Sequence, residues 1–207
     1  MSLVMNFRRL RIYFFVLVML FVAACTIKYT IELNPDIRNP PTFDKLPLTI
    51  GVYYSTEFKN YEFRRKVHPK LLVIPAGKGS VAFFDKVLPI MFGNVVQLKT
   101  WPIPRQENPE LSGILIPSIQ TLEFYGVEGF LRAEIVYQFT LYSSDGQSIA
   151  SWNVKGIGMR KLGFEFTSPE TRIGQATDFA MQDAAVKFII KFREIPEVQK
   201  WLQSVLK

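Results

Sequence analysis

At 207 residues the chain has room for one ordinary domain, and a composition 48% hydrophobic and 21% charged excludes a disordered polymer. The formal charge of +7 points toward nucleic acid only until it is divided. Three of the 25 Lys+Arg fall in the first 24 residues, and the other 22 face 18 Asp+Glu, a net of +4 that argues against a nucleic-acid partner.

The chain opens with the three parts of an export signal. Arg8, Arg9 and Arg11 form a positive segment, and residues 12–24 are an unbroken apolar run. As a helix that run rises only about 20 Å, against a hydrocarbon core near 30 Å, so it is short for a permanent span. It ends in Val22-Ala23-Ala24-Cys25, which resembles the lipobox of bacterial lipoproteins: a branched aliphatic residue, two small residues and cysteine. The resemblance implies that residues 1–24 are removed and that the Cys25 thiol carries a diacylglycerol, with a further acyl chain, as a covalent membrane anchor. Cys25 is the only cysteine, so no intrachain disulfide and no thiolate metal site elsewhere is available. Thr26 follows it, and by the sorting rules of diderm bacteria the absence of Asp there is compatible with transfer to the outer membrane. The expected location is therefore the cell envelope, at the periplasmic face of the outer membrane. A retained signal anchor is the alternative.

Residues 25–47 read as the lipidated cysteine and a spacer, because Asn34-Pro35, Asn39-Pro40-Pro41 and Leu46-Pro47 stiffen the chain toward extended conformation. An edge strand at residues 28–33 is compatible with that reading. A single domain is expected over residues 48–207. Residues 48–54 and 70–74 are strand candidates, and the second is stopped by Pro75-Ala76-Gly77. Ser80 is then an N-cap candidate for a helix carrying Val81, Phe84, Val87, Leu88 and Met91, with Pro89 expected to kink or end it. Residues 95–98 begin another strand before a proline-rich loop at 101–109.

Residues 113–124 and 130–142 are the next strands. The latter alternates, with Ala133, Ile135, Tyr137, Phe139 and Leu141 on one face. Ser143-Ser144-Asp145-Gly146 is a turn, and residues 148–155 return as the hairpin partner. Ser168-Pro169-Glu170 caps a long helix in which Ala176, Ala180, Ala184, Phe188 and Phe192 recur every four residues, until Pro196 opens a short final helix. The order predicts an α+β fold: a largely antiparallel sheet with a β-hairpin, covered on one face by helices.

Catalytic chemistry has little to draw on. His68 is the only histidine, between Val67 and Pro69, so a site with two imidazoles cannot be built, and it reads as a solvated loop residue. No Gly-x-Ser-x-Gly elbow exists, and the carboxylates are scattered. Gly77-Lys78-Gly79-Ser80-Val81-Ala82 matches the dinucleotide fingerprint formally. The acid expected about twenty residues on is replaced by Val96-Gln97-Leu98-Lys99. A plain glycine turn is preferred, with an anion site at Gly77, Lys78, Gly79 and Ser80 as the alternative. Finally, Phe58, Tyr61, Phe63, Arg64, Arg65, Lys66, His68 and Lys70 interleave aromatic and basic residues. Arg64, Arg65 and Lys66 are the candidates there for contact with a polyanion or lipid head group.

Lipobox, proline-rich spacer, α+β domain and the alanine-rich segment Gln175-Ala-Thr-Asp-Phe-Ala-Met-Gln-Asp-Ala-Ala-Val-Lys-Phe together resemble small bacterial envelope lipoproteins. The YajG-like, curli-secretion-lipoprotein-like and ABC-transporter-auxiliary groups share this layout. The resemblance implies a non-catalytic subunit, without cofactor or metal, that docks on an envelope transport or biogenesis machine. A lipid- or glycan-binding lipoprotein is the second expectation and a periplasmic hydrolase the third. The oligomeric state is open.

Overall fold

The computed structural model describes residues 27–37, 40–42, 44–67, 70–102, 110–163 and 168–206; the segment expected to be an export signal, Cys25 and His68 lie outside the described residues. In chain order the elements are β1 (Ile27–Thr30), β2 (Leu46–Val52), α1 (Thr56–Lys59), β3 (Phe63–Val67), β4 (Lys70–Ile74), α2 (Ala76–Met91), β5 (Phe92–Gln97), β6 (Gly113–Val127), β7 (Phe130–Ser143), β8 (Ser148–Lys161), α3 (Pro169–Phe192) and α4 (Pro196–Val205). They fall into two units. Among the described residues the smaller joins Ile27–Thr30 with Arg64–Val73, and the larger comprises Ile31–Phe63 and Ile74–Lys207.

The smaller unit is built on a three-stranded sheet in the order β1-β4-β3. β1 runs parallel to β4, with Lys28 beside Leu71, Tyr29 beside Leu72 and Thr30 beside Val73.

The larger unit holds a five-stranded sheet in the order β5-β2-β6-β7-β8. β2 runs parallel to β5 and β6, while the much longer β6–β7 and β7–β8 ladders are antiparallel. The α+β class expected from the sequence is therefore present. The parallel pairs require crossovers, which the intervening helix α2 helps to supply. Alternation sets the inner face of β7, where Ala133, Ile135, Tyr137, Phe139 and Leu141 are all buried. In β6 the register shifts between Ile119 and Thr121, leaving Gln120 unpaired. Leu115, opposite Leu141, and Leu122, opposite Ile135, consequently face the same side despite their unlike parity.

Helices α2 and α3 cover that inner face, and aromatic rings fill the space between. Phe84 of α2 meets Tyr137 and Phe139 edge-on at 5.2 and 5.4 Å between centroids. Phe188 of α3 stacks on Phe139 at 4.2 Å and lies 6.2 Å from Trp152. Phe92 meets Phe192 at 5.3 Å. Edge and offset contacts of this kind add to the stabilisation from burial alone.

The start of α2 departs from expectation. The helix begins at Ala76 rather than after Ser80, with Pro75 in the cap position. Gly77 sits beneath the α1 turn, where its N–H donates to the Tyr61 carbonyl at 2.9 Å. A Cβ at Gly77 would fall 2.7 Å from the Lys59 carbonyl oxygen. Close approach, which only glycine permits, thus outweighs glycine's poor helix propensity. Pro89 is accommodated inside the last turn. It lies with Asp85 on the exposed face, so the carbonyl it leaves unpaired there is open to water.

α3 follows its sequence signature. Ser168 accepts from the Thr171 N–H, Pro169 opens the helix, and Ala176, Ala180, Ala184, Phe188 and Phe192 are buried. Its alanines lie on Gly156 and Gly158 of β8, where a Cβ at Gly156 would stand 2.7 Å from the Ala184 Cβ. The polar side of α3 turns to the outer edge of β8. Asp183 Oδ2 accepts from the Ile157 N–H at 2.8 Å. Lys187 Nζ donates to the Lys155 carbonyl at 3.1 Å, and Lys191 Nζ to the Asn153 carbonyl at 3.2 Å.

Candidate functional site

The residues singled out from the sequence separate into places with different chemistry. Gly77, Gly79 and Ser80 are buried in the first turns of α2, and only the side chain of Lys78 is exposed. The Gly79 N–H donates to the Pro75 carbonyl at 3.1 Å. The Ser80 hydroxyl donates to the Ala76 carbonyl and meets the Tyr137 hydroxyl, both at 2.7 Å. The segment is helix rather than a turn, and the donors an anion would need from Gly77, Gly79 and Ser80 are already engaged inside the protein. Burial raises the Tyr137 phenol well above its ordinary range, which keeps it a neutral partner for Ser80.

The aromatic-basic stretch divides in two. Its aromatic members belong to the larger unit: Phe58 is buried against Tyr54 and Phe84, and Phe63 meets Phe124 edge-on at 5.0 Å. Its basic members Arg64, Arg65, Lys66 and Lys70 lie in the smaller unit, all exposed, as is Lys28 on β1. Lys70 Nζ stands over the Tyr29 ring at 5.7 Å from its centroid.

A feature with no sequence signature lies at the far end of the β6–β7–β8 ribbon. Val127 pairs with Phe130 across the two-residue Glu128-Gly129 turn, where both residues take positive φ. Tyr125 pairs with Arg132, and Arg132 with Met159. Directly paired residues share a face, so Tyr125, Val127, Phe130 and Met159 stand together on the side away from α2 and α3. Tyr125, Phe130 and Met159 are 43%, 37% and 44% exposed, and Leu162 beyond them is 46% exposed. Arg132 stands between Tyr125 and Met159 and, with Lys155, is paired to Glu134. The hydrogen bond from Lys155, reinforced by Arg132, holds the Glu134 carboxyl below its usual range.

Residues 31–37, part of the expected spacer, also take up defined places in the larger unit. Ile31 and Pro35 are buried, Ile31 near Gly174 and Leu33 near Gly79. The Asn34 N–H donates to Asp178 Oδ1 at 3.2 Å. Burial pushes Asp178 up to about 6, more than the Asn34 hydrogen bond lowers it. The folded state thus keeps this proton where the unfolded chain has lost it. Stability from this group is present below its unfolded value of 3.8 and is lost as pH rises through about 6. Asp178→Asn, which keeps the acceptor, is expected to stabilise the protein by about 1 kcal/mol at neutral pH, the full shift being discounted for partial exposure. It should give no gain at pH 4 and below. Urea unfolding at both pH values checks this, and equal midpoints at neutral pH would refute it.

Among the described residues no group of three His, Cys, Asp or Glu is placed to hold a metal. No described helix is long and apolar enough to cross a membrane.

A sheet of this mixed topology, backed on one face by two long helices, places the chain in a known structural class. Its fold is that of a Xanthomonas campestris protein of the family described as DUF330, with a TM-score of 0.52 at 13% identity over 85% of this chain and 98% of that one. A minor lipoprotein from Acinetobacter baumannii is more distant, at TM-score 0.44 and 6% identity over 72% of this chain and 92% of that one. Likeness at such identity bears on fold alone. No family model matches the sequence, and no curated protein does.

Proposed function

We propose that the chain is a non-catalytic lipoprotein of the cell envelope, anchored through Cys25 at the periplasmic face of the outer membrane. In this reading it serves as an accessory or assembly subunit of a transport or biogenesis machine. The lipobox-like Val22–Cys25 supports the anchor. The exposed apolar cluster of Tyr125, Val127, Phe130 and Met159 is the observation that carries the docking role. Water-facing aromatic and aliphatic groups gathered on one end of a rigid ribbon are the usual mark of a protein contact. The Glu134 network beside them supplies a charged rim.

Two measurements on the same cells test it. Cys25→Ser is expected to move the protein from the membrane to the soluble fraction. A photo-crosslinking residue at Phe130 should capture one envelope protein, whereas the same residue at Lys200 on α4 should not. Phe130→Glu combined with Met159→Glu, read at Tyr125, should abolish that capture without altering thermal unfolding. Membrane retention of Cys25→Ser, or equal capture from Phe130 and Lys200, would count against the reading.

A further inference from the structure

The positive charge of the exported chain is concentrated in one place. Between Ile27 and Thr30, and between Arg64 and Val73, stand five Lys and Arg (Lys28, Arg64, Arg65, Lys66 and Lys70) and no Asp or Glu. The rest of the chain after Ala24 then has 17 of the remaining 22 Lys+Arg against all 18 Asp+Glu, a net of −1. The mild basic bias read from composition is thus a nearly neutral body plus one strongly cationic sheet. Four of the five lie within Arg64–Lys70 in the sequence, and folding adds Lys28, because parallel pairing sets Lys28 beside Leu71 and so brings β1 to the strand that Lys70 opens.

We infer that this three-stranded sheet is a membrane-apposed surface that rests on the anionic phospholipid head groups of the bilayer holding the Cys25 lipid. The inference rests on the lipid anchor proposed above and adds a second, electrostatic contact to it. Three observations support it. Only Thr26 separates Cys25 from β1, so the Ile27 backbone stands at most about 7 Å from that of the lipid-bearing Cys25, and the start of β1 is held beside the head-group layer. All five cations are exposed, and anionic lipid attracts such groups within a Debye length of the surface. Tyr29, which shares its face with Lys70 and not with Lys28, is 42% exposed, an amphipathic ring of the kind that settles at the membrane–water boundary along the β1 edge of the sheet. The lipid chains on Cys25 hold the protein to the bilayer, and a basic patch adds a second signal that turns the sheet toward its surface. Here the two signals are adjacent in the chain.

The test uses the mature lipidated protein reconstituted into phosphatidylcholine vesicles, with or without phosphatidylglycerol. Acetylation of individual lysines by a water-soluble reagent is followed by mass spectrometry. In phosphatidylglycerol vesicles Lys28 and Lys66 are expected to react roughly fivefold more slowly than in phosphatidylcholine, with the difference lost at high salt and with Lys86 and Lys200 unaffected. Equal rates in the two vesicles overturn the inference. So does equal slowing when soluble polyphosphate is added to phosphatidylcholine vesicles, which would make the sheet a general polyanion site. Arg65→Glu with Lys66→Glu should remove the protection of Lys28; if that variant does not fold, the salt dependence of the unaltered protein decides the matter. The mass of the N-terminal peptide reports lipidation of Cys25 independently, so loss of the anchor reading and loss of the surface contact are distinguishable.

Discussion

Gly156→Ala is expected to destabilise the protein by about 3–4 kcal/mol, the cost of forcing atoms into a packed backbone contact. The added methyl group would collide with the Ala180 carbonyl and stand 2.7 Å from the Ala184 Cβ and 2.8 Å from the Ala184 nitrogen. None of these is the end of a flexible side chain. Either α3 lifts from β8 as a body or the strand bends, and both openings loosen the aromatic contacts that α3 makes one and two turns further along. Ala184→Gly removes one of the colliding atoms, so the double variant should recover about 1 kcal/mol. Urea unfolding of the four proteins measures this. A cost below about 1 kcal/mol for Gly156→Ala would show that α3 does not sit as close to β8 as described.

The second large effect is expected at Phe188. Its ring is fully buried and touches three elements: it stacks on Phe139 at 4.2 Å, faces Trp152 at 6.2 Å, and lies 6.3 Å from Phe84 of α2. Phe188→Ala should cost about 3–5 kcal/mol, combining lost transfer energy with a cavity that the flanking rings cannot fill. Phe188→Leu retains most of the volume and should cost about 1.5 kcal/mol. Denaturant midpoints read both, and an alanine variant no less stable than the leucine one would remove Phe188 from the centre of the core.

Where structure depends on neighbours in the chain, the sequence is legible. Ser168 and Pro169 announce the start of α3 because a cap hydroxyl and a fixed φ act within one turn. The Ser143–Gly146 turn declares its hairpin, with Gly146 at positive φ. The turn at Glu128-Gly129 was not recognisable in the same way, because glutamate is an unusual occupant of its first position. Long-range pairing was beyond reach. Nothing local tells β2 to take β5 and β6 as parallel neighbours, and the start of α2 depends on a backbone contact with α1 that made Gly77 resemble a loop residue.

The same division holds for function. Arg64, Arg65 and Lys66 could be singled out as a local run, but their association with Lys28 needed the β1–β4 pairing. Phe58 and Phe63 seemed to belong with them and instead serve the larger unit. The apolar cluster around Phe130 was hidden because its members come from three strands, and alternation shows which side a residue takes but not whether that side is covered.

The attachment of α3 to the margin of β8 has a consequence for self-association. A terminal strand normally offers its spare amides and carbonyls to any passing chain. In β8 the Ile157 amide and the carbonyls of Lys155 and Asn153 are occupied by Asp183, Lys187 and Lys191. Three side chains do the work of an added strand, and intermolecular sheet growth from that side must first displace them. Such a barrier keeps crowding from becoming polymerisation.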